Sequence, residues 1–157
     1  MQWKVEVSYK SDVFDAVGEG IKQDISDLGI SGIESVRSSN LYWIEGELNE
    51  ADVEKTCKSL LADTITQEYS FHQAKQETEE SGLEKDEWIV EVIYKPGVTD
   101  AVGNSVVKGI RDIKINGVKS VMTGQKYVIT GKINQEELER ISKQLLANEV
   151  IQDYKIN

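Results

Sequence analysis

Reactive side chains are scarce in this sequence, which holds one cysteine, Cys57, and one histidine, His72. A lone cysteine excludes an internal disulfide, and one Cys with one His cannot supply a zinc-type ligand set. No stretch approaches the ~18 to 20 consecutive apolar residues that a bilayer span needs. The opening, "MQWKVEVSYK", alternates from the start and lacks the apolar run of a signal peptide. The expectation is a cytoplasmic protein with no membrane partner. Basic residues are also short, 18 Lys and Arg against 28 Asp and Glu, for a net charge of −10. Such a surface repels polyphosphate, so nucleic acid is excluded as the main partner.

What is missing extends to active-site patterns. Cys57 falls in a helical apolar stripe, where a buried thiol is expected rather than a nucleophile. His72 has no counterpart elsewhere in the chain and reads as a surface residue. "VGEGIKQ" and "VGNSVVKG" offer glycines near a helix start, but neither a phosphate-loop Lys-Ser/Thr pair nor a full dinucleotide fingerprint. Those glycines read as places where a helix approaches a sheet. Asp15 and Asp100 fit helix caps better than catalytic acids. The sequence therefore predicts no catalytic, cofactor-binding or metal-binding residues of its own.

What is present is a repeat. Shifted by 85 positions, residues 3–72 fall on residues 88–157 without a gap, and 28 of the 70 aligned positions are identical. "WKVEVSYKSDVFDAVG" lies over "WIVEVIYKPGVTDAVG", and "LLADTITQEY" over "LLANEVIQDY". Self-similarity at a fixed offset means a duplicated unit. The organisation expected is a first module over 1–72, an acidic linker over 73–87 and a second module over 88–157.

Each copy carries the same alternation of periods. Trp3, Val5, Val7 and Tyr9 (Trp88, Val90, Val92 and Tyr94) recur every second residue, as in a half-buried strand. Val17, Ile21, Ile25 and Leu28 (Val102, Val106, Ile110 and Ile113) make a helical stripe behind the Asp cap. Two short strands, roughly 33–37 and 41–48, are expected to form a hairpin around "SSN" or "TGQ". Asn49 and Asn134, each with an acid three residues on, open a second helix. Its stripe is Val53, Cys57, Leu60 and Leu61 (Leu138, Ile141, Leu145 and Leu146), and a last strand spans 65–71 or 150–156. The order β-α-β-β-α-β implies an α+β fold, an antiparallel sheet with helices on one face, written twice as a pseudo-dimer. A 70-residue unit of this kind is marginal alone.

The sheet face away from the helices should be polar if it meets water. Here it includes Leu41, Trp43, Ile89, Ile93 and Val128. The reading is a contact surface between copies or with a partner; scattered apolar exposure is the alternative. Copy one has 14 acids and 6 bases, net −8, whereas copy two has 8 acids and 10 bases, net +2. Pairing of unlike copies is favoured and pairing of two first copies opposed.

"YKPGVTDAVGNSVVKGI" and "LLANEVIQDYKI" resemble the strand-to-helix passage and the "LLANPVIEDYEI" ending of the PurS family. The resemblance covers residues 88–157 throughout and residues 3–72 more weakly, with Ser11 and Asp12 standing where copy two has Pro96 and Gly97. It implies a small subunit of formylglycinamidine ribonucleotide (FGAM) synthase, an ATP- and glutamine-using ligase of purine synthesis. Such a subunit has no activity alone and no cofactor. Its partners would be the large synthetase subunit and the glutaminase, which it would bridge while supporting ammonia transfer. The resemblance also directs attention to Lys95, Pro96 and Gly97 as partner-contact residues. The competing reading is a double α+β module that senses a small metabolite between its halves.

Overall fold

The computed structural model describes residues 1–74 and 86–157. Of the expected linker, Gln73 ends a strand and Glu87 opens one, and residues 75–85 lie outside the described residues. Copy one forms strand β1 (Gln2–Tyr9), helix α1 (Ala16–Asp27), strand β2 (Ile33–Gly46), helix α2 (Glu50–Thr56) and strand β3 (Gln67–Gln73). Copy two repeats the order with β4 (Glu87–Tyr94), α3 (Ala101–Asp112), β5 (Val118–Gly131), α4 (Gln135–Ile141) and β6 (Gln152–Ile156). α2 and α4 each widen into one π-helical turn, Cys57–Leu61 and Ser142–Leu146, where the Ala62 and Ala147 N–H groups donate five residues back.

The strand order is β3-β1-β2-β5-β4-β6. β1 pairs antiparallel with β3, Val5 opposite Phe71, and β4 pairs antiparallel with β6, Val92 opposite Tyr154.

The expected hairpin is absent. β2 and β5 are single strands of 14 residues each, running straight through "SSN" and "TGQ". A tight hairpin needs residues at positive φ. Ser38, Ser39 and Asn40 have none, and Gly124 does not use its freedom either. Instead the would-be turn is held extended by a buried carboxylate. Asp15 caps α1 through the Gly18 N–H at 2.9 Å and accepts both the Ser38 N–H (2.7 Å) and the Ser38 hydroxyl (2.9 Å). Asp100 does the same for the Gly103 N–H (2.8 Å), the Thr123 N–H (2.6 Å) and the Thr123 hydroxyl (2.9 Å). One side chain thus fixes both a helix start and the middle of a long strand.

The chain has two compact units, and neither coincides with a sequence repeat. One comprises residues 1–13, 40–79 and 99–124, the other residues 14–39, 80–98 and 125–157. In the first, Trp3, Val5 and Val7 of β1, Ile44 of β2 and Val53 and Cys57 of copy one pack with Val106 and Ile110 of α3 and Val121 of β5. In the second, Val90 and Val92 of β4, Tyr127 and Ile129 of β5 and Leu138 and Ile141 of α4 pack with Ile25 of α1 and Val36 of β2. Each unit therefore fills its core with the first helix of the other copy. Polar contacts follow the exchange. Lys55 Nζ donates to the carbonyl of Ile113 at the end of α3 (3.0 Å), and Arg140 donates to that of Leu28 at the end of α1 (3.3 Å). Cations at these ends also meet the negative pole of the helix.

The two exchanged segments differ in charge. The exchanged segment 14–39 of acidic copy one has five acids and two bases, net −3, while segment 99–124 has two acids and four bases, net +2. Segment 99–124 thus joins the acidic remainder of copy one, net −5, whereas segment 14–39 joins a remainder of copy two that is neutral.

The stripes are narrower than their periodicity implies. Val17 and Val102 open their helices but are more than half exposed, and the buried positions are Ile25, Val106 and Ile110. The first turn instead brings Gly18 and Gly103 against the sheet. A Cβ at either would collide with the carbonyl oxygen of Val36 or Val121, a backbone atom that cannot step aside. Gly20, two residues on and so on the opposite side of the helix, has nothing within 4 Å. Thermal unfolding separates the two roles. Gly18→Ala is expected to lose about 2 kcal/mol or more through overpacking, whereas Gly20→Ala should gain roughly 0.5 to 1 kcal/mol from helix propensity. Equal effects would contradict this packing.

Candidate docking surfaces

The residues expected on the outer sheet face divide by burial. In the first unit Leu41 is fully buried, although it belongs to neither helix-covered core. Trp43 is half-buried, with Lys4 Nζ 5.6 Å from its ring centroid, a cation–π contact that shields the indole face. In the second unit Ile89 is only 4 % exposed, and Ile93 and Val128 are half-buried. Leu41 and Ile89 are thus covered within the single chain, and Trp43, Ile93 and Val128 keep partial exposure.

Lys95, Pro96 and Gly97 form a turn after β4. The Val98 N–H donates to the Lys95 carbonyl at 3.2 Å, and Gly97 has φ +86°. Proline followed by a glycine at positive φ is the signature of a type II turn. Pro96 and Gly97 are exposed, and Lys95 Nζ lies 3.8 Å from Asp153. Copy one closes the same turn with Val13 N–H to Lys10 carbonyl at 2.9 Å, without a positive φ at Asp12. The Ser-Asp replacement therefore changes the turn type and keeps the connection.

Periodicity missed a second loop. Ile65 and Val150, read as the start of the last strand, lie before it, because β3 and β6 begin at Gln67 and Gln152. Both side chains are 82 % exposed. The loop behind each is built from the same four hydrogen bonds. Asp63 Oδ1 accepts the Ile65 N–H (3.0 Å), Gln67 Oε1 accepts the Asp63 N–H (2.8 Å), and the Asp63 carbonyl accepts the N–H groups of Thr66 (3.1 Å) and Gln67 (2.7 Å). In copy two Asn148 Oδ1 accepts the Val150 N–H (3.1 Å), Gln152 Oε1 accepts the Asn148 N–H (2.9 Å), and the Asn148 carbonyl accepts those of Ile151 (3.0 Å) and Gln152 (2.7 Å). The available signal was Asx, aliphatic and Gln at spacings of two and two, present in both copies. Phe14, 72 % exposed where copy two has Thr99, is an apolar position without that symmetry.

Groups that could carry chemistry are occupied structurally. Cys57 is fully buried, and burial pushes its thiol up to about 12. Among the described residues no cluster of three or more His, Cys, Asp or Glu could hold a metal ion. A shallow hollow lined by Met1, Gln2, Glu45 and Ala74 brings together one carboxylate and no cationic side chain. No helix among the described residues is long and apolar enough to cross a membrane.

The Glu54–Tyr69 pair is shifted chiefly by one hydrogen bond. Tyr69 donates its hydroxyl to Glu54 Oε1 at 2.5 Å, which pushes the phenol up to about 12 and lowers the carboxyl. A lowered carboxyl contributes stability above its unfolded pKa and loses it as pH falls through the folded value. A raised phenol contributes below its unfolded pKa and loses that as pH climbs towards 12. Tyr69→Phe is therefore expected to be less stable than wild type at neutral pH, with the gap closing in acid, as read by urea unfolding across pH. A gap independent of pH would place the effect elsewhere.

The PurS family model, described as phosphoribosylformylglycinamidine (FGAM) synthase, matches this chain twice, over residues 2–75 and 87–157. A comparison with curated proteins finds no match. Among solved structures, B. subtilis PurS is 24 % identical, covering 45 % of this chain and 94 % of its own, with a TM-score of 0.43. PurS of Methanocaldococcus jannaschii, one of the subunits of formylglycinamide ribonucleotide amidotransferase in the purine biosynthetic pathway, is 32 % identical. It covers 45 % of this chain and 92 % of its own, with a TM-score of 0.36. A PurLQS structure from Thermotoga maritima matches at 26 % identity over 46 % of this chain and 94 % of its own, with a TM-score of 0.38. With both copies matched by one family model, the chain belongs to the PurS family and is a tandem duplication within it.

Proposed function

We propose that this chain is a non-catalytic assembly subunit of FGAM synthase that acts in the cytoplasm. It bridges the glutaminase and the large ATP-dependent synthetase subunit and supports passage of ammonia from one to the other. The observation that carries this reading is the double family match, which leaves only a short connecting segment unmatched. The burial of Cys57 and the structural use of Asp15 and Asp100 support a role in binding rather than chemistry.

The duplication is a covalent form of a two-copy assembly. A short tether replaces a bimolecular pairing by an intramolecular one, at an effective concentration in the millimolar range for a short flexible linker. Exchange of α1 and α3 between the copies makes them mutually dependent, and the basic segment 99–124 joining the acidic remainder of copy one favours the unlike pair.

Reconstitution tests the proposal. Purified chain is mixed with the glutaminase and large synthetase subunits from the same source, and glutamine-dependent formation of FGAM is followed with and without it. Co-elution with the other subunits and a rate that depends on the chain are expected. Absence of both, or turnover of formylglycinamide ribonucleotide by this chain alone, would contradict the proposal.

A further inference from the structure

The tips at Ile65 and Val150 call for an explanation that the fold does not supply. Neither side chain belongs to a core, and neither backbone position belongs to a strand. Single exposed aliphatic residues are common on protein surfaces. Here a β-branched residue stands at the same tip in both copies, on the same four hydrogen bonds, although its neighbours differ. Thr64 and Thr66 flank Ile65, whereas Glu149 and Ile151 flank Val150. One carboxylate or amide anchor and one reciprocal glutamine hold each tip in one conformation before any partner arrives. An aliphatic residue held out rigidly binds at little cost in lost conformational freedom. The tip is convex, so it fits a concavity.

Charge narrows the partner. Asp63 and Glu68 lie beside the first tip, Glu149 and Asp153 beside the second, all four exposed, with Asp153 3.8 Å from Lys95 Nζ. The chain as a whole carries −10. A second copy of the chain meeting tip to tip would bring acid against acid. An aliphatic socket rimmed by Lys and Arg on a different protein would pair with both features.

Resting on the assembly-subunit reading above, we propose that Ile65 and Val150 are docking plugs. Each seats in a basic-rimmed aliphatic socket on another subunit of the same enzyme. The mechanism is burial of one side chain per plug, oriented by the Asx turn and steered by the acids around it.

The test uses the full-length chain with the glutaminase and the large synthetase subunit, and titrates binding at low and at high salt. Ile65→Ser with Val150→Ser should keep the wild-type melting temperature, because the changed atoms face solvent, and weaken binding about tenfold or more per plug. Ile65→Val with Val150→Ile should bind within about threefold of wild type. Raised salt should weaken wild-type binding through the rim charges. If serine loosens the turns, Ile65→Thr with Val150→Thr keeps the branched shape and tests the same loss. Unchanged binding by the folded serine or threonine double variant overturns the plugs and leaves the assembly role standing. Loss of self-association alone, with subunit binding intact, also overturns them, since the occupant would then be a second copy. A wild-type chain that binds neither subunit overturns the assembly role and the plugs together.

Discussion

The structure depends on a buried carboxylate that does two jobs at once. Asp15 closes the first turn of α1 and, from the same two oxygens, holds Ser38 extended in the middle of β2; Asp100 and Thr123 repeat this. Asp15 is 2 % exposed. A carboxylate so placed is tolerable only while its acceptor positions are filled, and extended backbone at residue 38 fills them. That constraint removes the hairpin, and β2 then gives its first half to one unit and its second half to the other. The exchange of helices follows from the length of that strand.

Much of the rest was legible from one dimension. Duplication needed only an ungapped self-match, and the capping boxes at Asn49 and Asn134 appear as the reciprocal bonds their spacing implies. Gly18 and Gly103 lie where helix and sheet are closest, the role expected for glycines after an Asp cap. The failures share a cause. Periodicity reports which residues share a face, and it is blind to whose core that face enters. Ile25 and Ile110 were correctly read as core positions, yet each is buried with the other copy's strands. "SSN" was read as a turn from polarity alone, and nothing local reveals that Asp15, 23 residues away, needs Ser38. Ile65 and Val150 were read as strand residues because β-branched types favour strands, but the Asx and Gln anchors take them out of the ladder.

Alternation marked the sheet face away from the helices, and Leu41 and Ile89 on that face are already buried in the single chain. The apolar groups that remain most open are on loops and helix starts, at Phe14, Ile65 and Val150. Loops held on a rigid scaffold are where binding residues concentrate. Asp15 and Cys57, the buried acid and the lone thiol, are both committed to the architecture.

Methyl-resolved nuclear Overhauser spectroscopy on the intact chain tests the exchange most directly. Ile110 of α3 should show cross-peaks linking it to Val53 and Ile44 of copy one, and Ile25 of α1 should show them to Leu138 and Ile141 of copy two. Cross-peaks joining Ile110 to Leu138 and Ile141, with Ile25 joined to Val53, would mean that each copy keeps its own helix and would contradict the account.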